Sequence, residues 1–201
     1  MNHNTSGALH NTWSSFLTID VLEDEEAVIY SDDIKTMELY KEVYLNHFNS
    51  KFLKNAKIKK GKCEWNIKPN LPFFDYLKTE RKQNNKFSYS MAIKDRKDAS
   101  FGASYKGIDN AMHDMMEDLL HDQINIGDSR NFKNAEELDS KFVNLLNSKA
   151  FIGTENSWSL LAKDLHIPCM HLCQFWPHRS LKRIKINDVR TYIDPLVEVI
   201  K

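Results

Sequence analysis

The chain has 201 residues, 41% of them hydrophobic, and its 28 Lys and Arg balance 28 Asp and Glu. That length and apolar content suffice for one large α/β domain or two smaller lobes with cores of their own, and the balanced charge supplies no global field to recruit nucleic acid or an anionic membrane. Cys63, Cys169 and Cys173 form no CxxC pair, no charged and then apolar leader opens the chain, and no run approaches about 18 uninterrupted apolar residues, which together predict a soluble cytoplasmic protein with reduced thiols and no transmembrane segment.

Residues 7–22 carry Leu9, Trp13, Phe16, Leu17 and Leu22 at near-helical spacing. The acidic run Glu23-Asp24-Glu25-Glu26 stands at the end of that helix where the dipole disfavours carboxylates, so it reads as a solvated loop. Residues 27–30 predict a short buried strand, and Ser31-Asp32-Asp33 caps a helix running through Phe48. Around Gly61, residues 56–60 and 63–67 predict two short strands, and Pro69 and Pro72 exclude a helix start before Phe73. Phe73, Phe74 and Tyr76 are expected at a lobe boundary. The polar stretch 78–86 reads either as a linker or as the solvated end of a helix.

Beyond Lys86 strands and helices alternate. The predicted order is strand 87–93, loop 102–107, helix 110–120, strand 123–126, helix 134–147, strand 150–152, helix 157–165 and strand 169–172. Helix 134–147 is the most amphipathic, with Ala135, Leu138, Phe142, Leu145 and Leu146 on one stripe. This alternation predicts an α/β fold of Rossmann-like parallel sheets with helices on both faces. Such sheets bind ligands at the carboxyl ends of their strands.

Several chemistries are excluded by missing motifs. There is no H-E-x-x-H and no Cys/His spacing for zinc, so His113, His121, His166, His171 and His178 are read in non-metal roles. Neither a P-loop nor a G-x-G-x-x-G fingerprint is present. Met112, Met115 and Met116 are read as core gap fillers. The run Phe175-Trp176-Pro177-His178-Arg179 has two readings, a base-stacking or acceptor-cleft element and a plain lobe-packing element.

The stretch Ile152-Gly153-Thr154-Glu155-Asn156-Ser157-Trp158-Ser159-Leu160-Leu161-Ala162-Lys163-Asp164-Leu165-His166-Ile167-Pro168 resembles the carboxy-terminal lobe of GT-B glycosyltransferases, specifically the ADP-heptose:lipopolysaccharide heptosyltransferase family. In that family a strand ends in Gly, an acidic residue, a small residue and a Leu-Ala helix follow, and the segment leaves through Leu-x-x-Pro. Ile186-Asn187-Asp188-Val189 and Ile193-Asp194-Pro195-Leu196-Val197-Glu198-Val199-Ile200 are similar to the family's closing helix, and Gly7-Ala8-Leu9-His10-Asn11-Thr12 resembles its G-x-L-G-D-T loop. The resemblance implies a GT-B-like architecture with a reduced amino-terminal Rossmann-like lobe, residues 1–80, and a carboxy-terminal nucleotide-sugar-binding lobe, residues 81–201.

From this likeness follow the candidate site residues. Gly153 lets the backbone approach a diphosphate, and unpaired N–H groups from Asn156 to Ser159 at a helix start suit its charge. Thr154, Ser157 and Ser159 belong to the same donor loop, and Glu155 is suited to a ribose or sugar hydroxyl. Lys94 and Arg96, after the strand 87–93, are placed to neutralise the diphosphate, with a solvated charged turn as the alternative for that run. The family's acidic base position corresponds to Asn11, an amide that takes no proton at neutral pH, which leaves His10 as the substitute base. The function implied is transfer of a sugar from a nucleotide-diphosphate sugar to a glycan-type acceptor, without metal or resident cofactor. The alternative is a catalytically inactive protein that sequesters or senses the nucleotide sugar. Both leave a homo-oligomer open.

Overall fold

A computed structural model of the chain describes residues 8–62, 87–92, 123–153, 156–165, 167–172 and 183–184. The predicted strand 63–67, the aromatic cluster at 73–76, the candidate linker 78–86, the loop 102–107, the helix 110–120, and the segments 175–179, 186–189 and 193–200 lie outside these residues. The chain divides into two compact units, Met1–Arg81 with Phe132–Ser140, and Lys82–Asn131 with Lys141–Lys201.

In the first unit the order is α1 (Ala8–Val21), β1 (Val28–Ser31), α2 (Ile34–His47), a 3-10 turn (Leu53–Asn55) and β2 (Lys57–Lys60). β1 and β2 pair in parallel, from Val28↔Lys57 to Ser31↔Lys60. Parallel strands need a crossover, and α2 supplies it, giving a β-α-β unit. Leu9, Trp13, Phe16 and Leu17 fall on one stripe of α1 and are all buried. α1 ends in a Schellman motif, with Asp24 N–H donating to Ile19 O (3.1 Å) and Glu23 N–H to Asp20 O (3.2 Å). Glu23 therefore takes a φ of 53°, a conformation that favours glycine. The acidic run 23–26 is exposed.

α2 starts where predicted because Asp33 accepts a hydrogen bond from Thr36 N (3.0 Å) as N-cap. Its buried stripe of Met37, Tyr40, Val43 and Tyr44 meets α1 in an aromatic core. Tyr44 lies edge-on to Trp13 (5.9 Å) and Phe16 (5.5 Å), and the Trp13 indole donates to Tyr40 O at 3.1 Å. Asp20 receives the Phe52 amide at 3.1 Å, which fixes the entry to the 3-10 turn. The 132–140 segment joins this unit through Phe132 against Tyr40 (5.7 Å) and through Asp139 with His47 Nε2 (2.5 Å).

The second unit holds β3 (Phe87–Ala92), β4 (Gln123–Asn125), the latter part of α3 (Ala135–Leu146), β5 (Ser148–Gly153), α4 (Ser157–Asp164), β6 (Cys169–Leu172) and β7 (Arg183–Ile184). They form one five-stranded sheet in the order β4-β3-β5-β6-β7, parallel at every pairing. Ala150, Phe151 and Ile152 are consecutive and fully buried, so β5 is covered on both faces, as a central strand of a parallel sheet must be. The chain is thus a mixed α/β protein built on parallel sheets. β7 and the 3-10 turn are elements that the apolar periodicity does not announce, since each is only two or three residues long. Among the described residues no helix is long and apolar enough to cross a membrane.

Candidate functional site

Strand order singles out one place in the second unit. Counted within its own sheet the order is 2-1-3-4-5, so β3 connects to one side, to β4, while β5 connects to the other, to β6. In open parallel sheets the crevice for a ligand lies at the carboxyl ends of the two strands where the direction of winding reverses. Those ends are Ala92 and Gly153, which are register partners. Lys94 and Arg96 follow Ala92 by two and four residues, and Thr154 and Glu155 follow Gly153 directly. All four lie outside the described residues.

Gly153 is a glycine for a packing reason. A Cβ there would sit 2.9 Å from Phe151 Cζ and 3.1 Å from Cε1, with Ala92 Cβ at 3.7 Å. The Phe151 ring fills the space that the absent side chain leaves, whereas the sequence reading assigns that space to a ligand.

The first turn of α4 also corrects the sequence reading. Asn156 is the N-cap, its backbone extended, and its Oδ1 accepts from Trp158 N (2.8 Å) and Ser159 N (3.3 Å). Ser159 Oγ accepts from Asn156 N (2.9 Å) and donates to Asn156 O (2.7 Å), closing a reciprocal capping box. Of the amides from Asn156 to Ser159, three are therefore engaged by the cap itself. The cause is burial: Asn156, Ser157, Trp158 and Ser159 are all shielded from water, and a helix end in that setting must satisfy its donors from within. Ser159 is accordingly a capping residue. Ser157 differs. Among the described residues its buried Oγ has no hydrogen-bond partner, and the same holds for Ser90 Oγ on β3.

Trp158 is a functional candidate that the sequence reading misses. Its indole is fully buried and donates from Nε1 to Gly127 O at 3.1 Å. Because α4 follows β5 while Gly127 follows β4, this one bond ties together the segments that leave the two neighbours of β3. Gly127 takes a φ of 63°, open to glycine at no steric cost, and its N–H is received by Asn125 Oδ1 at 2.9 Å. Lys141 Nζ donates to the carbonyls of Asp128 and Asn131, and Arg130 returns onto Asp128 through its backbone N–H (3.0 Å), Nε (3.2 Å) and an NH2 donor (2.9 Å). The available signals were the Asn-x-Gly-Asp turn and the need of a buried indole N–H for a partner.

The chain matches no protein-family model, no curated protein and no solved structure. What can be said of the site comes from its own residues. His10 and Asn11 belong to the first unit, in the opening turn of α1, with Asn11 exposed and His10 half-buried. Their carbonyls accept from Ser14 Oγ and Ser15 Oγ, both at 2.9 Å. No group of three or more His, Cys, Asp or Glu among the described residues could hold a metal ion.

Proposed function

We propose that the second unit binds a nucleotide-diphosphate sugar at the β3/β5 edge, and that the protein transfers the sugar to a glycan-type acceptor. The observation that supports this most is the register pairing of Ala92 with Gly153 at the reversal of winding, since in sequence Lys94 and Arg96 come shortly after the first and Thr154 and Glu155 directly after the second. Two cations neutralise a diphosphate through charge-assisted hydrogen bonds, and the unsatisfied Ser157 hydroxyl is a donor that a phosphate oxygen would complete. Leaving such a group buried and unpaired costs about 1–3 kcal/mol, which ligand binding would recover. In the transfer, an acceptor hydroxyl oxygen bonds to the anomeric carbon as the bond from that carbon to the diphosphate breaks. The diphosphate departs with the electron pair, stabilised by Lys94 and Arg96. The hydroxyl proton passes to a general base, the role that the resemblance gives to His10 in place of Asn11, whose amide accepts no proton.

Thermal unfolding in the presence of ADP, UDP and GDP and of their sugars tests the binding step. A ligand at 100 times its dissociation constant adds about 2.7 kcal/mol to stability, and replacement of Lys94 and Arg96 together by Ala should remove the shift. If no member of that panel moves the transition, the reading fails. Asn11, an exposed amide where the resembled family carries an acid, favours the second reading of binding without turnover. Release of sugar to acceptor or water that is lost in His10→Ala supports transfer; a full shift with no release under any acceptor supports sequestration.

A further inference from the structure

The two-stranded sheet of the first unit has a face that sugar transfer leaves unused. Its other face meets α2, where Ile58 lines a hollow with Glu38, Lys41, Glu42 and Leu45, and Ser31 is buried. Alternation along the strands then puts Val28 and Tyr30 of β1 and Lys57 and Lys59 of β2 on the opposite face, in register as Val28↔Lys57 and Tyr30↔Lys59. All four are exposed, Val28 at 37% and Tyr30 at 41%. A glycine gives the Tyr30 ring its place. The ladder continues past β2 through Gly61 N–H, which donates to Ser31 O (3.1 Å), and a Cβ on Gly61 would stand 3.0 Å from Tyr30 Cδ1. The ring therefore leans into the space that residue 61 leaves open, against the end of β2.

The charge along the β2 side has one sign. Residues 51–62 contain six lysines and no acidic residue, and all six lysines are exposed. Since the chain as a whole is balanced, the attraction is local to this strand. Lysines alone would serve to keep a strand edge from pairing with another chain, but that role gives no use to Tyr30 and Val28 exposed among them. An open face of aromatic and cationic side chains matches a ligand that carries both flat rings and repeated negative charge. A second copy of this face would set lysines against lysines, and an acidic peptide would leave the ring without a partner. Bases in a duplex are stacked on one another, so only an unpaired base can lie on the ring. We propose that this face of β1 and β2 binds single-stranded nucleic acid, with a base stacked on Tyr30 and the backbone phosphates following Lys57, Lys59, Lys60 and Lys62. Lys57 and Lys59 stand about 6.6 Å apart along the strand, comparable with the step between phosphates of an extended single strand. The proposal is independent of what the β3/β5 edge binds.

The test is fluorescence-anisotropy titration of the full chain with labelled oligothymidylate, oligouridylate, the matching duplexes and oligoglutamate. Four phosphate contacts on a single strand give a log–log salt slope of about −2.8, an affinity loss of about 50-fold between about 50 and 200 mM salt. Tyr30→Ala should weaken binding about 5- to 150-fold with the slope unchanged, and Tyr30→Phe should retain most of the affinity. Lys57→Gln together with Lys59→Gln should make the slope shallower by about 1.4, with the effect of Tyr30→Ala still present. These positions are exposed, so the substitutions leave the core of the unit untouched. Absence of binding to both single strands at the lower salt overturns the proposal. Equal affinity for duplex and single strand, with no effect of Tyr30→Ala, overturns it in favour of plain charge attraction. Binding of oligoglutamate without binding of either single strand overturns it in favour of an acidic protein partner.

Discussion

The two units bury serine hydroxyls in different ways. In the first, Ser15 Oγ donates to Asn11 O, Ser31 Oγ bridges the N–H and C=O of Asp33, and Ser50 Oγ receives the Leu53 amide, so these three serine hydroxyls are each committed to a turn or cap. In the second, Ser148 and Ser159 are committed in the same way, but Ser90 and Ser157 Oγ have no partner among the described residues. A folded core tolerates an unpaired buried donor only where something offsets its cost, and a site that gains a ligand is one such place. The first unit is organised around aromatic packing between two helices. The second is organised around a five-stranded parallel sheet.

The largest expected effect lies in that aromatic core. Trp13 is fully buried between Tyr44 and Phe48 and closes a hydrogen bond onto α2. Trp13→Ala removes the ring and its hydrogen bond to the Tyr40 carbonyl, and should cost about 3–5 kcal/mol in denaturant unfolding. Trp13→Phe should cost markedly less, because it preserves most of the edge-on contacts. Loss no greater than that of an exposed substitution would mean that the α1–α2 core does not hold the unit together.

A smaller effect is expected at the sheet edge, where it separates packing from binding. Gly153→Ala drives a Cβ into the Phe151 ring, an overpacking that costs about 1–3 kcal/mol. Phe151→Leu should relieve part of that cost in the double variant, so the two substitutions should couple in a double-mutant cycle. Additive effects would show that Gly153 is required for something other than Phe151.

How much of this was legible in the sequence depends on what kind of signal each residue gives. Helices 134–147 and 157–165, and the strands near 87, 123 and 169, announce themselves through apolar period, and the structure has them within a residue or two. The parallel sheet follows from their alternation. What periodicity cannot express is commitment: Asn156 and Ser159 read equally as ligand groups or as a cap, and only the burial of that turn decides that their donors and acceptors face each other. Gly153 is ambiguous for the same reason, since a glycine beside a phosphate and a glycine under a phenyl ring look alike in one dimension. The bond from Trp158 to Gly127 spans 31 positions and depends on strand order, which local patterns do not encode.

The smallest effect sets the two units against each other in alkaline solution. Lys41, in the first unit, donates to the carbonyls of Lys54 (3.2 Å) and Ala56 (2.7 Å) beside a shallow hollow of about 340 Å³ lined by Glu38, Glu42, Leu45 and Ile58. Partial burial lowers its pKa, and Glu38 opposes the shift. Between that lowered value and the ordinary lysine value the unfolded chain binds more protons, so the Lys41 contribution makes stability rise with pH. Cys169, at the start of β6, has its thiol raised by burial, with Lys163 opposing and Asp164 reinforcing. Its contribution is complete below the ordinary thiol pKa and is lost as pH climbs from there through the raised value. Unfolding midpoints measured between about pH 8 and pH 10.5, the window set by ordinary thiol and lysine values, should therefore lose a falling component in Cys169→Ala and a rising one in Lys41→Met. The readout is the slope against pH, which a lost hydrogen bond displaces without tilting. Identical slopes in wild type and Cys169→Ala would mean that the thiol is as well hydrated in β6 as in the unfolded chain.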